Sequence, residues 1–251
     1  MTWPERGEPA WVVTMTDGTP GSWPDIGAAY DVAAVTYADR FGGELAGKPP
    51  DRDLLDRFAA AVAARGPVWD VGCGPAGHIT RYLADRGVAA AGVDLSPGVV
   101  AVARQRQPGL DFRVADLRHL PAPDGSLAGI LAFYSVIHLP RPQIPVALAE
   151  FRRVLQPGGA LLIAMHGPAL AASAGEPVPP GARDAGELVE PEAFGHPVEV
   201  RVTLVTLAGL TADLQAAGLE VAWADERDPV ADEFATRRIY AWARRADGAE
   251  A

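Results

Sequence analysis

Three groups of residues could act together on one ligand. Gly72, Gly74 and Gly77 lie in Val68-Trp-Asp-Val-Gly-Cys-Gly-Pro-Ala-Gly77, directly after a short apolar run. A glycine turn between a strand and a helix lets the backbone approach a ligand closely. Asp94 lies 22 residues after Gly72, and Asp116 a further 22 residues on. A carboxylate at the first position can take both hydroxyls of a ribose. One at the second can accept a hydrogen bond from an exocyclic amine. Each has a plainer alternative: a tight turn with no ligand, a cap for the helix after Asp94 (a task Ser96 could also do), and a solvated loop at Asp116. His138 and His166 each follow an apolar run, and an unperturbed imidazole titrates near pH 6.5, so either could move a proton.

These groups meet only if each ends a strand of one sheet. The pattern meets that demand. Helix-like spacing covers 27–41 and 51–65, with Leu54, Leu55, Phe58 and Val62 on one side of the second. Short apolar strands are expected at 67–71, 89–93, 112–115, 127–134 and 160–165, alternating with helices at 78–86, 97–105 and 144–155. This alternation implies parallel βαβ units in one open sheet, with right-handed crossovers. Residues 167–197 break the rhythm and read as a lid or an irregular loop. A strand at 198–205, a helix at 207–217 and closing strands at 219–224 and 239–243 follow. One domain over 26–246 is expected: a helical cover 26–65, a core 66–166, a substrate lid 167–205 and a closing unit 206–246. Residues 1–25 and 247–251 read as tails.

Composition removes several classes of function. The 251 residues carry 22 basic and 32 acidic side chains, a net charge of -10 that disfavours non-specific nucleic-acid binding. The single cysteine, Cys73, allows neither an internal disulfide nor a cysteine zinc cage. Lys48 is the only lysine, so there is no phosphate-binding Gly-Lys-Ser/Thr loop. It sits before Pro49-Pro50 in an expected turn, a poor place for a Schiff base. No apolar run suits a bilayer span or a secretory leader, and a cytoplasmic protein is expected.

The chain resembles the class I S-adenosylmethionine-dependent methyltransferases, specifically the bacterial small-molecule branch, from about Tyr30 to Arg245. Asp70-Val-Gly-Cys-Gly-Pro is similar to the family's first motif, although Ala76 stands where a third glycine is usual. Gly-Val-Asp94-Leu-Ser-Pro resembles the second motif, and Ala-Asp116-Leu the third. Phe-Arg-Arg-Val-Leu-Gln-Pro-Gly-Gly159 resembles the approach to strand five, and Tyr30 with Tyr37 the cover helix.

The resemblance implies a Rossmann-like α/β fold: an open, mostly parallel seven-stranded sheet, helices on both faces and the last strand antiparallel. It implies S-adenosylmethionine as cofactor, S-adenosylhomocysteine as product and no metal. Asp70, Gly72, Cys73 and Gly74 would hold the methionyl part. Asp94 and Leu95 would hold the ribose, and Asp116 and Leu117 the adenine. Tyr30, Tyr37, Phe133, Tyr134, Ser135 and His138 would line the rest. The expected activity is methyl transfer to O or N of a small-molecule acceptor, in natural-product metabolism, by a monomer or homodimer. His138 or His166 would take the acceptor's proton; the plainer readings, which weigh more, are a cofactor-packing or helix-start residue for His138 and a polar loop or substrate-orienting residue for His166.

Two other functions share parts of this pattern. A non-catalytic binder of the same cofactor would keep the same motifs. A nicotinamide-dependent oxidoreductase shares the glycine turn and Asp94, yet leaves Asp116 unexplained and lacks a Tyr-x-x-x-Lys pair. Nucleic-acid methylation is disfavoured, because Phe133-Tyr-Ser-Val stands where base methylases of this fold carry Asn/Asp-Pro-Pro-Tyr/Phe.

Overall fold

The computed structural model describes residues 12–14, 23–169, 184–230 and 233–247. In chain order, β1 (Val12–Thr14) is followed by the cover helices α1 (Ile26–Phe41) and α2 (Pro49–Val62). The main sheet then begins with β2 (Val68–Val71), α3 (His78–Ala84), β3 (Ala90–Asp94), α4 (Pro97–Arg106) and β4 (Asp111–Val114). It continues through β5 (Leu127–Phe133), α5 (Ile144–Val154) and β6 (Leu155–Ala169). After β7 (Asp184–Glu190) and β8 (Val200–Val205) come α6 (Leu207–Ala216), β9 (Leu219–Arg227) and β10 (Thr236–Arg245).

Seven strands form one sheet in the order β4-β3-β2-β5-β6-β10-β9. The first five are parallel neighbours, and β10 runs antiparallel to both β6 and β9. This is the expected doubly wound sheet with its antiparallel last strand. The reason lies in the apolar runs. Every residue of β2 and β5 is buried, as strands covered by helices on both faces require. α5 buries Ile144, Ala147, Leu148, Phe151 and Val154, one stripe of a 3.6-residue period. α2 does the same with Leu54, Leu55, Phe58 and Val62. All parallel strands therefore end on one side, where their connecting turns gather the motif residues.

Ser96 caps α4, accepting from the Val99 N–H at 2.9 Å. The cap thus does not consume the Asp94 carboxylate. α1 is pinned beside it: Asp31 accepts from the Gly98 N–H at 2.7 Å and from the Ser96 hydroxyl.

The segment expected to be an irregular lid contains more order than its sequence suggests. β6 continues to Ala169, and β1, β7 and β8 form a second, antiparallel sheet. β1 pairs Val12 with Val189, so part of the expected N-terminal tail is a strand. The rest of that tail through residue 22, residues 170–183 of the lid, and 248–251 lie outside the described residues. The small sheet is fastened to the core where Thr203 Oγ1 donates to the Leu139 carbonyl at 2.6 Å. Ala193 and Val200 pack on Ala29 of α1.

Candidate active site

The glycine turn leaves β2 and enters α3. Gly72 has φ 76°, and a Cβ there would lie 2.2 Å from the Ser135 Cβ, so no other residue fits. Gly74 has φ 65°, but a Cβ there would meet nothing closer than Tyr37 at 3.8 Å. The backbone at Gly74 is therefore bare toward a cavity of about 330 Å³. Gly74 N–H donates to Asp94 Oδ2 at 3.2 Å, and Ser96 N–H to Asp94 Oδ1 at 3.1 Å. Burial pushes this carboxyl up to about 6, against the pull of those two donors.

Leu95, Asp116, Leu117, Phe133, Tyr134 and Ser135 line the same cavity, together with Cys73, Tyr30, Tyr37 and His138. Asp116 accepts from the Arg118 backbone N–H at 2.8 Å and from its guanidinium, which holds the carboxyl below its usual range. Asp70 stands behind the wall. It is 1% exposed and accepts from Thr80 Oγ1 at 2.6 Å, so it braces the turn from inside rather than facing a ligand. Cys73 packs with Val100, Ala103 and Phe112, and burial pushes its thiol up, which suits packing and not nucleophilic chemistry.

A methyltransferase-domain family model matches residues 69–163, the segment that carries all three strand-end motifs. A malonyl-[acyl-carrier protein] O-methyltransferase from Serratia marcescens is 37% identical over 137 residues, covering 53% of this chain and 47% of the relative. A trans-aconitate 2-methyltransferase from Methylobacterium nodulans is 40% identical over 121 residues, covering 46% and 43%. The chain thus spans about half the length of these relatives. Residues 69–163 thus carry a methyltransferase domain. The Burkholderia thailandensis 1,6-didemethyltoxoflavin-N1-methyltransferase, solved with S-adenosylhomocysteine, shares the methyltransferase fold at TM-score 0.63 and 17% identity, covering 96% of this chain and 97% of that one. The [4+2]-cyclase SpnF shares it at TM-score 0.61 and 20% identity, covering 89% and 96%.

The cavity of the methyltransferase domain suits the family's cofactor. Its volume falls in the range of small-molecule sites, roughly 300–1,000 Å³. Asp25, Glu44, Asp94 and Asp116 put four carboxylates on the wall, a favourable setting for a cationic sulfonium. Ser135 Oγ and His78 Nδ1 are buried there with no hydrogen-bond partner among the described residues. Such atoms call for a polar ligand or water. Glu44 and His78 escaped the sequence reading. Glu44 follows α1 outside any motif, with Oε1 at 3.3 Å from His78 Nε2 and Oε2 at 2.7 Å from Lys48. Only the position of His78, at the first residue after the glycine turn, hinted at it.

A second cavity of about 340 Å³ adjoins the first. The two share Tyr30, Tyr37, Glu44, Tyr134 and His138 as a dividing wall. The small sheet roofs the second cavity with Leu188, Val200, Val202 and Leu204. Tyr134 holds φ 54°, a strained value for a bulky residue, and its hydroxyl lies 2.9 Å from that of Tyr240. Tyr240 donates in turn to the buried Asp51 at 2.6 Å.

The hydrogen bonds settle which nitrogen of each histidine carries its proton. His138 Nδ1 faces the Arg201 carbonyl oxygen at 3.1 Å, which can only accept, so Nδ1 is protonated. His138 Nε2 then accepts from the Tyr30 hydroxyl at 2.9 Å. His166 is reversed. Its Nδ1 lies 3.1 Å from an Arg238 N–H, which can only donate, and 2.7 Å from Thr236 Oγ1. Burial pushes His138 down to about 4, and burial with the Arg238 charge pushes His166 well below its usual value. The Nε2 lone pair of His138 and the Nδ1 lone pair of His166 are therefore both engaged in hydrogen bonds.

Proposed function

We propose that the protein transfers a methyl group from S-adenosylmethionine in the first cavity to O or N of a small-molecule acceptor in the second. The observation that carries this is the shared wall of Tyr30, Tyr37, Glu44, Tyr134 and His138, which brings two separately lined cavities into contact. When bound, the cofactor supplies a methyl group on a positively charged sulfur, which leaves without help from an acid. The chain's own task is then placement and the exclusion of water.

Asp94 is the ribose group. Each of its oxygens already accepts one N–H, which leaves one lone pair per oxygen for the two hydroxyls. Asp116, turning from Arg118, takes the adenine amine, with Leu117 beside it. The bare backbone at Gly74, the Ser135 hydroxyl and the Glu44–His78 pair hold the methionyl end. Tyr30, its proton pointed at His138, presents its phenol oxygen to the dividing wall. The two histidines orient neighbours rather than carry protons. Bacterial relatives and a toxoflavin methyltransferase of the same fold support an acceptor from small-molecule, natural-product metabolism.

Calorimetric titration with S-adenosylhomocysteine, with NAD in parallel, tests this function. One saturable site for the first and none for NAD is expected. Binding of NAD alone would overturn it. Binding of S-adenosylhomocysteine without turnover on any of a panel of amines, phenols and carboxylic acids would favour a non-catalytic binder.

A further inference from the structure

Resting on the proposed methyl transfer, we infer that the second cavity recognises an organic ammonium, with Glu190 as its counter-charge and the rings of Tyr30, Tyr37, Phe41 and Phe194 as its walls. The acceptor class is therefore an amine: its nitrogen gains a lone pair for the methyl carbon only when the ammonium passes a proton to the Glu190 carboxylate, so Glu190 is both counter-charge and proton acceptor.

Four observations carry this. Glu190 ends β7 and faces the cavity from the small sheet. Among the described residues, no hydrogen bond or ion pair reaches its carboxylate, although it is partly buried. The aromatic rings gather around Phe194, whose centroid lies 4.8 Å from that of Tyr37, 5.6 Å from Tyr30 and 6.0 Å from Phe41. A cation among aromatic faces gains from the ring quadrupoles, and more so when desolvated. Finally, the other charges on the wall are matched. Lys48 is paired with Glu44. Arg238 is saturated by Thr236, His166 and the Phe234 carbonyl, with Glu233 nearby. Arg227 holds Glu233 from behind.

Arg40 is exposed on α1 and is the charge that Glu190 senses most. Water screens it, so an anionic acceptor finds little attraction here. An ammonium completes the cavity where a carboxylate would add to Glu190.

Burial raises the Glu190 carboxyl to about 7. The groups around it keep one charge state near that pH. From α1, Tyr30 and Tyr37 are raised and stay neutral, and Arg40 stays charged. From the segment before α2, Glu44 is lowered and stays ionised beside Lys48. His138 and His166 are lowered and stay neutral, and the lowered Glu233 stays ionised beside Arg238. β8 contributes only apolar side chains to the cavity. Loss of ammonium affinity on acidification through about 7 therefore reports Glu190.

The test uses the full chain, saturated with S-adenosylhomocysteine, and two probes of one shape: meta-hydroxyphenyltrimethylammonium and meta-tert-butylphenol. The quaternary nitrogen keeps its charge at every pH. Calorimetry is expected to give an affinity about tenfold higher for the ammonium than for its neutral twin. That preference should disappear in Glu190→Gln and fall in the parent as pH drops through about 7. Equal affinity of the two probes in the parent overturns the inference, and this arm needs no variant to fold. A preference that survives in folded Glu190→Gln overturns the role of Glu190. Saturable S-adenosylhomocysteine binding with no ammonium preference sinks this inference alone, whereas no S-adenosylhomocysteine binding sinks the methyl-transfer function beneath it.

Discussion

The Asp94 carboxylate is held by two backbone N–H groups in a place where charge is costly. Its folded value of about 6 lies above the unfolded value of roughly 3.9. The folded protein therefore binds this proton more tightly, and stability falls as pH rises between the two values. Asp94→Asn removes that cost. It should flatten the fall of melting temperature with rising pH up to about 6, because the amide does not ionise. It should also weaken S-adenosylhomocysteine binding about 10- to 100-fold, since charge-assisted hydrogen bonds are lost. In the parent protein, affinity should drop as pH falls through about 6, and the variant should lack that drop. A folded variant that binds as tightly as the parent would remove Asp94 from the ribose. Asp94 and Asp116 were legible because motifs end strands at a fixed interval. Glu44, His78 and Glu190 were not, because folding brings them to the cavities from segments with no pattern of their own.

At the scale of elements, two of the three glycines in the turn between β2 and α3 have different duties. At Gly72 an added methyl group collides with the Ser135 Cβ in a left-handed backbone. Gly72→Ala should cost roughly 2–5 kcal/mol, the sum of conformational strain and overpacking. Gly74→Ala meets open space, so only strain of about 1–2 kcal/mol opposes it. Its methyl group projects where the cofactor backbone would lie, so affinity should fall more than stability. Thermal melts and calorimetry on the pair separate the two duties, and equal effects on both readouts would contradict the assignment. The parallel strands were readable because buried strands are continuous apolar runs. The small sheet was not. Asp184-Ala-Gly-Glu-Leu-Val-Glu190 lacks the alternation seen in β8, and β7 is ordered by its partners β1 and β8. Strand formation of that kind depends on context more than on local preference.

The whole molecule joins a core whose pattern is written in the sequence to a cover whose pattern is not. The core order follows from hydrophobic spacing and chirality, which act over short stretches. The acceptor cavity depends on contacts between α1, β7, β8 and residues 233–238, which no window of sequence contains. Consequently the cofactor class was legible, whereas the proposed acceptor rests on the assembled walls alone. β10 comes late in the chain but lies between β6 and β9. During synthesis, β6 must therefore wait with an open edge, although Leu161–Met165 are all destined to be buried. An exposed apolar edge of this kind invites pairing between chains. Chains ending before Thr236 should accumulate as insoluble protein in an expression and fractionation assay, and a soluble, monomeric truncation would count against this. The edge of β6 is therefore covered only once Thr236–Arg245 have been made, and the open edges of the complete sheet are β4 and β9.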